Sequence, residues 1–467
     1  MKSSSTTDIV DALVGKGVLT EEEGKLITKG HVSKKNAEGT VAFKDGFKIN
    51  SGDGNSNIAI IGRVQLDSRS FIGNGGGGAN KNFADTFDVR RAYLGAKGTF
   101  KKYYDFEVTA DFAGLTGTGG SAAAATDSNA ASAGSTSLDV AYLNVNYWNK
   151  KAMFQFGQFK MPYSLEERTS SRFIDFQERS FVNNTSLTPG KERGAMIHGT
   201  PITGVNYALA FSTGQGKNTN DIDQREDGKD IIAHLDANIA EIMGNKEAIL
   251  HLGGSYGVGD LAPAVTGAQR SEGRGNEFFK TVAADGTTVE RERFNLEGVV
   301  AYGPVKLQAE YGNASFKGSS AAGVSFDKEL DAYYTEALWL VTGEKYADSY
   351  KGGKFDRISP KKDFNPDFSS LGAIELGIRY SEFDAKDFVT AANGATAGTM
   401  VLAPIAATAS YTNKADAYTI GLKWIPDANA RFLMNYVHTD YDTPVLAATG
   451  KTISKEKALM FRAQYDF

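Results

Sequence analysis

Alternation with a period of two runs through this chain and ends on its last residue. Leu459, Phe461, Ala463, Tyr465 and Phe467 fall on one face of the terminal stretch, and Arg462, Gln464 and Asp466 on the other. A period of two marks a β-strand with one apolar and one polar face. The pattern recurs upstream. Ile58, Ile60, Val64 and Leu66 alternate with Ala59, Ile61, Arg63, Gln65 and Asp67. Ile374, Leu376, Ile378 and Tyr380 alternate with Glu375, Gly377 and Arg379, and Tyr418, Ile420, Leu422 and Trp424 with Thr419, Gly421 and Lys423. Sixteen strands are expected, near 57–71, 87–100, 104–115, 137–149, 152–162, 194–202, 205–216, 230–243, 247–260, 292–303, 305–318, 326–342, 370–384, 415–426, 430–441 and 455–467.

The hydropathy of the chain is that of a water-soluble protein. Mean hydropathy is -0.33, and no apolar run approaches the roughly 18 residues of a transmembrane helix. A membrane β-barrel escapes that test, because only every second residue of each strand faces lipid. The connections choose between the two. They alternate short (Lys101-Lys102, Asn149-Lys150, Thr203-Gly204, Gly244-Asn245-Lys246, Gly303-Pro304, Asp427-Ala428-Asn429) and long (72–86, 116–136, 163–193, 217–229, 261–291, 385–414, 442–454). A soluble β-sandwich predicts no such alternation. An outer-membrane barrel does, with short periplasmic turns and long external loops. One connection, 343–369, is long where a short turn is due. The expected architecture is therefore all-β and transmembrane: a 16-stranded antiparallel up-and-down outer-membrane β-barrel over 46–467. Its even strand count puts both termini on the periplasmic side.

Residues 1–45 stand apart as a periplasmic, helical segment. Thr7 to Gly15 and Thr20 to Gly30 read as two short helices, with Thr20 and Glu23 as a capping box and Gly30 as a stop. Ile9, Leu13, Val18, Leu26 and Ile27 are the expected buried side. The opening Met1-Lys2-Ser3-Ser4-Ser5 lacks the apolar stretch of a secretion signal, as expected of a processed start. The absence of cysteine fits an oxidising compartment. A net charge of -5 carries no nucleic-acid footprint.

Several pieces of the chain, in order, resemble the phosphate- and polyphosphate-selective O/P-type porins. They are Gly62-Arg63-Val64-Gln65-Leu66-Asp67, Arg90-Arg91-Ala92-Tyr93-Leu94, Gly157-Gln158-Phe159-Lys160 with Leu165-Glu166-Glu167 and Thr169-Ser170-Ser171, Glu178-Arg179, and Thr342-Gly343-Glu344 with Gly353-Lys354-Phe355-Asp356 and Ile358-Ser359-Pro360. The last piece is the anomalous long turn. The resemblance covers about residues 55–467 and implies sixteen-stranded barrels, homotrimers and water-filled pores in the outer membrane of Gram-negative bacteria. It also implies that loop 163–193 folds inward as the constriction, bringing Glu166, Glu167, Arg168, Arg172 and Arg179. Arg63, Arg90 and Arg91 match family arginines of the anion path.

Two neighbours in a regular strand point to opposite faces, so Arg90-Arg91 would leave one guanidinium in lipid at about 2–4 kcal/mol. The apolar positions avoid this. Phe87 and Val89 precede the pair, Ala92, Leu94 and Ala96 follow it, and the register shifts by one between them. A β-bulge at the pair turns both arginines inward. Planar guanidinium suits phosphate oxyanions. Alternation also places Arg69, Lys97, Arg379, Lys423, Arg431 and Arg462 on the lumen wall, with Asp67, Asp88, Asp139, Glu310, Glu336 and Glu375 as roughly cancelling acids.

The sequence departs from the family pattern twice. Glu167 stands where the phosphate-selective members carry a lysine, and loop 261–291 offers only Arg270, Arg274 and Arg291 beside Glu272, Glu277 and Glu290. The function expected is passive diffusion of small hydrophilic solutes and ions, with an anion or phosphate preference. The alternatives are a weakly selective or cation-preferring general porin, and a barrel-anchored structural or adhesive protein that displays the Ser121 to Ser137 loop. The expected partners are outer-membrane lipid, lipopolysaccharide, small solutes or inorganic anions, and two further copies of the chain. No enzyme, cofactor, metal or nucleic-acid role is expected. His31, His198, His234, His251 and His438 are scattered without ligand spacing, and Asp221, Asp223, Glu226 and Asp227 lack EF-hand spacing.

Overall fold

A computed structural model describes residues 6–27, 39–42, 47–72, 85–116, 136–184, 187–214, 216–218, 229–261, 269–282, 289–320, 323–389, 401–402, 411–446 and 452–467. Sixteen long strands form the wall. They are β1 (Asn57–Phe71), β2 (Thr86–Phe100), β3 (Tyr104–Asp111), β4 (Ser137–Val145), β5 (Met153–Lys160), β6 (Lys191–Ile202), β7 (Val205–Ser212) and β8 (Asp230–Asn238). They continue with β9 (Ala248–Leu261), β10 (Val289–Tyr302), β11 (Val305–Ser319), β12 (Ser325–Leu340), β13 (Ala373–Asp384), β14 (Lys414–Ile425), β15 (Ala430–Leu446) and β16 (Thr452–Asp466). Each is bonded to its sequence neighbour in the sheet, and β16 pairs antiparallel with β1 from Ala458↔Phe71 to Asp466↔Arg63. That pairing closes the barrel and removes the open edges a sheet cannot leave in hydrocarbon.

Alternation decides which face each residue takes. On β1, Arg63, Gln65, Asp67 and Arg69 are buried inside, while Ile60 and Val64 lie exposed outside. Leu94, Val108, Phe156, Leu209, Phe211, Leu296 and Ile420 continue the exposed apolar surface around the wall. Such a band is what a lipid-facing surface requires. At the terminus-bearing end, Tyr103, Tyr147, Trp148 and Phe154 form a chain of ring contacts. The hairpins there turn through Lys101-Lys102 and Asn149-Lys150, all at positive φ. That is the geometry of tight two-residue turns matched to strand twist.

The register of β1 and β2 passes from Gln65↔Arg91 to Leu66↔Val89, so Arg90 is an extra residue. Arg90 and Arg91 therefore both turn inward, as the shift in apolar register required. A second bulge was not foreseen: Thr109↔Val140 is followed by Ala110↔Leu138, which leaves Asp139 as the extra residue of β4. Two connections depart from the expected alternation. The β8–β9 turn, expected at 244–246, runs over 239–247 and holds a one-turn helix Ile239–Ile242. The link 320–324 is short on the long-loop end, a tight return from β11 to β12.

At the start of the chain, helix Thr6–Gly15 is followed by a helical turn over 21–27. The capping box is present: Thr20 N–H donates to Glu23 Oε2 at 2.9 Å and Glu23 N–H to Thr20 Oγ1 at 3.2 Å. The two pieces meet where Val10 and Val14 approach Gly24. Among the described residues Val10 and Gly24 are covered, whereas Ile9, Val18, Leu26 and Ile27, expected to be buried, are exposed. The contact is small: two valine side chains against one glycine. Short strands Thr40–Ala42 and Phe47–Asn50 then pair with each other, and the second adds to the start of β1 from Asn50↔Asn57 to Phe47↔Ile60. Gly30, His31, Asp221, Asp223, Glu226, Asp227 and most of the Ser121 to Ser137 stretch lie outside the described residues.

Candidate functional site: the constricted lumen

Three connecting segments enter the barrel. The first is 161–190, between β5 and β6. Its one-turn helix Leu165–Arg168 is seated on β11, where the Glu310 carboxylate accepts from Leu165 N–H at 3.0 Å and Glu166 N–H at 2.7 Å. A carboxylate on free helix N–H groups satisfies donors that nothing else would reach. Glu166 points into the loop rather than into water. It accepts from Ser180 Oγ and Asn183 Nδ2, both at 2.7 Å, and from Arg379 Nη1 at 3.3 Å. Arg168 reaches along the same stretch of wall, donating to Glu297 on β10 at 2.6 Å and pairing with Asp236 on β8 at 3.1 Å. Arg179 donates to the carbonyls of Glu166 (3.2 Å) and Thr169 (3.0 Å) and pairs with Glu167 at 3.2 Å. Glu178 gathers Arg90 and Arg462 at 3.1 Å and Arg69 at 3.5 Å.

The second segment is 269–282, within the connection from β9 to β10. Its Phe278 and Phe279 join Phe181 of the first loop and Phe316, Phe383, Phe388 and Tyr441 in one buried cluster. Glu272 pairs with Arg379 at 2.6 Å, and Ser271 Oγ donates to Glu456 at 2.6 Å. The third is the long turn 341–372, entering from the other end. Tyr346, Tyr350, Phe355 and Ile358 pack with Leu165, Ile249, Val299, Leu338 and Leu340. Lys306 Nζ lies 4.0 Å from the centre of the Phe355 ring and donates to Asp175 at 2.7 Å. The inserts from the two ends thus meet at Leu165.

These inserts fill the side of the lumen walled by β9–β16. Space remains against the other side. A cavity of ≈ 620 Å³ lies between the first loop and the inner faces of β1–β8. Arg63, Lys150, Lys160, Arg168, Arg172, Lys191 and Lys354 line it, against Glu107 and Asp139. Arg63 donates to Ser171 Oγ at 2.8 Å and lies 4.2 Å from the centre of the Tyr93 ring. Lys160 and Lys191 stand opposite each other at the ends of β5 and β6. Lys160 donates to Glu167 O at 2.5 Å, and Lys191 pairs with Asp139. A wider cavity of ≈ 930 Å³ follows at the terminus-bearing mouth, lined by Lys48, Lys97, Arg357 and Lys361 among others and shared with Arg172.

The residues singled out from sequence thus divide. Arg63, Arg168, Arg172 and Asp139 line the first cavity and Lys97 the second. Arg90, Arg91, Arg379 and Arg462 face inward but are nearly covered: Arg91 donates to Gln65 at 3.0 Å, and Arg462 pairs with Asp67 at 2.7 Å. Asp67 and Asp88 both pair with Arg69, at 2.7 and 3.2 Å. Glu166, Glu167 and Arg179 bind the loop to itself and to the wall. The cancellation of charges expected from alternation occurs pair by pair, as in Lys423–Glu375 at 2.6 Å. Lys160 and Lys354 sat in motifs that carried the resemblance, without an assigned role. Their signal was position: one ends the strand feeding the constriction loop, and the other follows two glycines in the anomalous turn.

A closed sixteen-stranded barrel with an apolar outer band and a charged lumen narrowed by its own loops is an outer-membrane porin. Residues 58–467 match phosphate-selective porin O and P, and the chain belongs to that family. It is 25% identical over 435 residues to porin O of Pseudomonas aeruginosa, covering 88% of this chain and 90% of that one. Among solved structures it is similar in fold to Pseudomonas putida OprB, with TM-score 0.52 and 9% identity over 89% of this chain and 95% of that one. It is similar also to Salmonella typhi OmpF in complex with daunomycin, with TM-score 0.50 and 10% identity over 92% and 100%. The protein is a channel of the bacterial outer membrane, not an enzyme, and small hydrophilic solutes and ions diffuse through it passively.

Proposed function

We propose that this porin prefers small anions, and phosphate-like oxyanions among them. The observation that carries the reading is the lining of the open side: seven lysines and arginines against two carboxylates. Lumen charge sets ion preference in a narrowed pore, and cationic side chains lower the barrier for anions. Arg63, Lys160, Lys191 and Arg172 are the residues proposed to contact the passing ion, with Lys97 at the mouth. Arg90, Arg91, Arg379 and Arg462 act one step back, holding the loop that sets the width. Glu167 opposes an anion less than its position in the sequence implied, since Arg179 and Lys160 both pair with it.

The test is the reversal potential in a planar bilayer under a KCl gradient, repeated with added phosphate. An anionic potential with phosphate slowing the chloride current supports the proposal. A potential near zero or of cationic sign, with no effect of phosphate, favours a weakly selective general porin. For the remainder of the chain, residues 1–45 are proposed to lie in the periplasm, because an even strand count returns both ends to the short-turn side. The assembly proposed is a homotrimer embedded in outer-membrane lipid and lipopolysaccharide, on the family resemblance. Gel migration before and after heating checks the subunit number.

A further inference from the structure

The wall holds a second polar constellation at the edge of the open cavity, which its His234 also lines. His234 and Asp236 on β8, His251 on β9 and Glu297 on β10 converge on the lumen side, and all four are buried. They come together because Asp236 and Glu297 both stand opposite Gly253. A Cβ at Gly253 would sit 2.7 Å from Glu297 Oε1 and 2.8 Å from Asp236 Cβ. The inserted turn approaches from above through Gly353, at φ +72, whose added Cβ would meet Asp236 Oδ2 at 2.4 Å. Two glycines from distant parts of the chain thus leave room for charge to crowd.

His234 Nε2 lies 2.9 Å from Asp236 Oδ2 and 3.7 Å from Glu297 Oε1, and His251 Nε2 lies 3.0 Å from the same Glu297 oxygen. Zn–N and Zn–O bonds of about 2.0–2.2 Å in a tetrahedral array place neighbouring donor atoms about 3.3–3.5 Å apart. The observed spacings bracket that value. Each imidazole is also held on its other nitrogen by a hydroxyl. Ser255 Oγ is 2.8 Å from His234 Nδ1, and Tyr350 Oη is 2.6 Å from His251 Nδ1. A partner on the far nitrogen fixes the ring of a metal-ligating histidine and leaves the near lone pair for the ion.

One carboxylate oxygen of the cluster is left without a partner. Arg168 supplies one positive charge to two buried carboxylates, and Glu297 Oε2 is buried with no hydrogen-bond partner among the described residues. Buried charge without a partner is strongly disfavoured. A divalent cation would give this Glu297 oxygen a partner.

We propose that His234, Asp236 and Glu297 form a binding site for a divalent transition metal of the zinc class, which competes with Arg168 for the two carboxylates. His251 steadies Glu297 from its other side. Imidazole with carboxylate suits zinc, whereas magnesium favours oxygen-only octahedra with retained water. Because Arg168 ends the one-turn helix of the constriction loop, metal entry releases one of that loop's holds on the wall.

The test uses the full-length protein folded in detergent, stripped with EDTA and titrated with Zn²⁺ alone, then with Mg²⁺ alone. One saturable Zn²⁺ site per chain is expected, with no Mg²⁺ counterpart. Arg168→Gln should bind Zn²⁺ more tightly, and His234→Gln more weakly by about tenfold or more. Glu297→Gln serves in its place if His234→Gln fails the heat-modifiable gel shift that reports a folded barrel. In bilayers, Zn²⁺ should change the single-channel conductance of the wild type and not that of His234→Gln. Absence of saturable Zn²⁺ binding in both wild type and Arg168→Gln, or binding that His234→Gln and Glu297→Gln leave unchanged, would overturn the proposal.

Discussion

Two sides of one barrel, built from the same alternation of inward and outward residues, have opposite interiors. Behind β9–β16 the lumen is packed like the core of a soluble protein, with Phe181, Phe278, Phe279, Phe383 and Phe388 in edge contacts and neighbouring charges tied into shared networks such as Glu166–Arg379–Glu272. Against β1–β8 there is open space, and there the basic groups outnumber the acidic ones. A strand pattern fixes which residues point inward, but it does not say what they meet. The loops decide that. On one side inward-facing arginines become rivets, and on the other they become the lining of a passage.

Variants on the filled side should cost stability, with the largest effect at its charge pairs. Arg379→Ala leaves Glu166 and Glu272 facing each other without their shared guanidinium, a loss of about 3–5 kcal/mol. Thermal unfolding in detergent measures it, and an unchanged midpoint would mean that the packed side is looser than its geometry. Phe279→Ala removes a fully buried ring from the aromatic cluster and should destabilise by about 3 kcal/mol, with more open-channel noise as the second insert loosens. Arg90→Ala sits at the boundary. Glu178 keeps Arg69 and Arg462, so the loss should be about 1.5 kcal/mol and ion preference should hardly move. Were preference to collapse instead, Arg90 would belong to the open side.

Lys160→Glu and Lys191→Glu sharpen the contrast from the other direction. Each reverses a charge beside a largely covered carboxylate and should cost about 1–3 kcal/mol, while shifting the reversal potential toward cations, the pair together more than either alone. The smallest effect is expected far from the barrel. The Thr20 backbone N–H and hydroxyl hold the Glu23 carboxyl below its ordinary value. The support it gives the helical turn is present above the unfolded pKa and fades as pH falls through the folded one. Circular dichroism of Glu23→Gln should show a slight loss of helix at neutral pH and no change in conductance.

Much of the wall was legible from sequence because period-two alternation survives in every strand, and a break in it is equally legible. Phe87 and Val89 before Arg90-Arg91, and Ala92 and Leu94 after, required the bulge at Arg90. The bulge at Asp139 gave no such sign, since Leu138 and Val140 on either side are both apolar. On the filled side the inward fold of loop 163–193 followed from the resemblance, but its aromatic packing was not legible. Phe181, Phe278 and Phe279 lie in connections without periodicity, and only their contacts across the lumen make them a core. Glu166 was legible only as a charge of the constriction loop, and the hydroxyl and amide groups of Ser180 and Asn183, 14 and 17 residues on, make it an anchor within that loop. The histidines seemed scattered because strand pairing, not sequence distance, makes neighbours of His234 and Glu297.

The contrast between the sides can be measured directly because the chain has no cysteine of its own. Ser171→Cys places a thiol on the open cavity, and Ser381→Cys places one beneath the packed inserts, where Ser381 is fully buried. Each is treated in a bilayer with a negatively charged methanethiosulfonate reagent while current is recorded. The account predicts rapid block at position 171 and no reaction at 381. Block at 381, or silence at 171, would contradict it and place the ion path on the other side of the barrel.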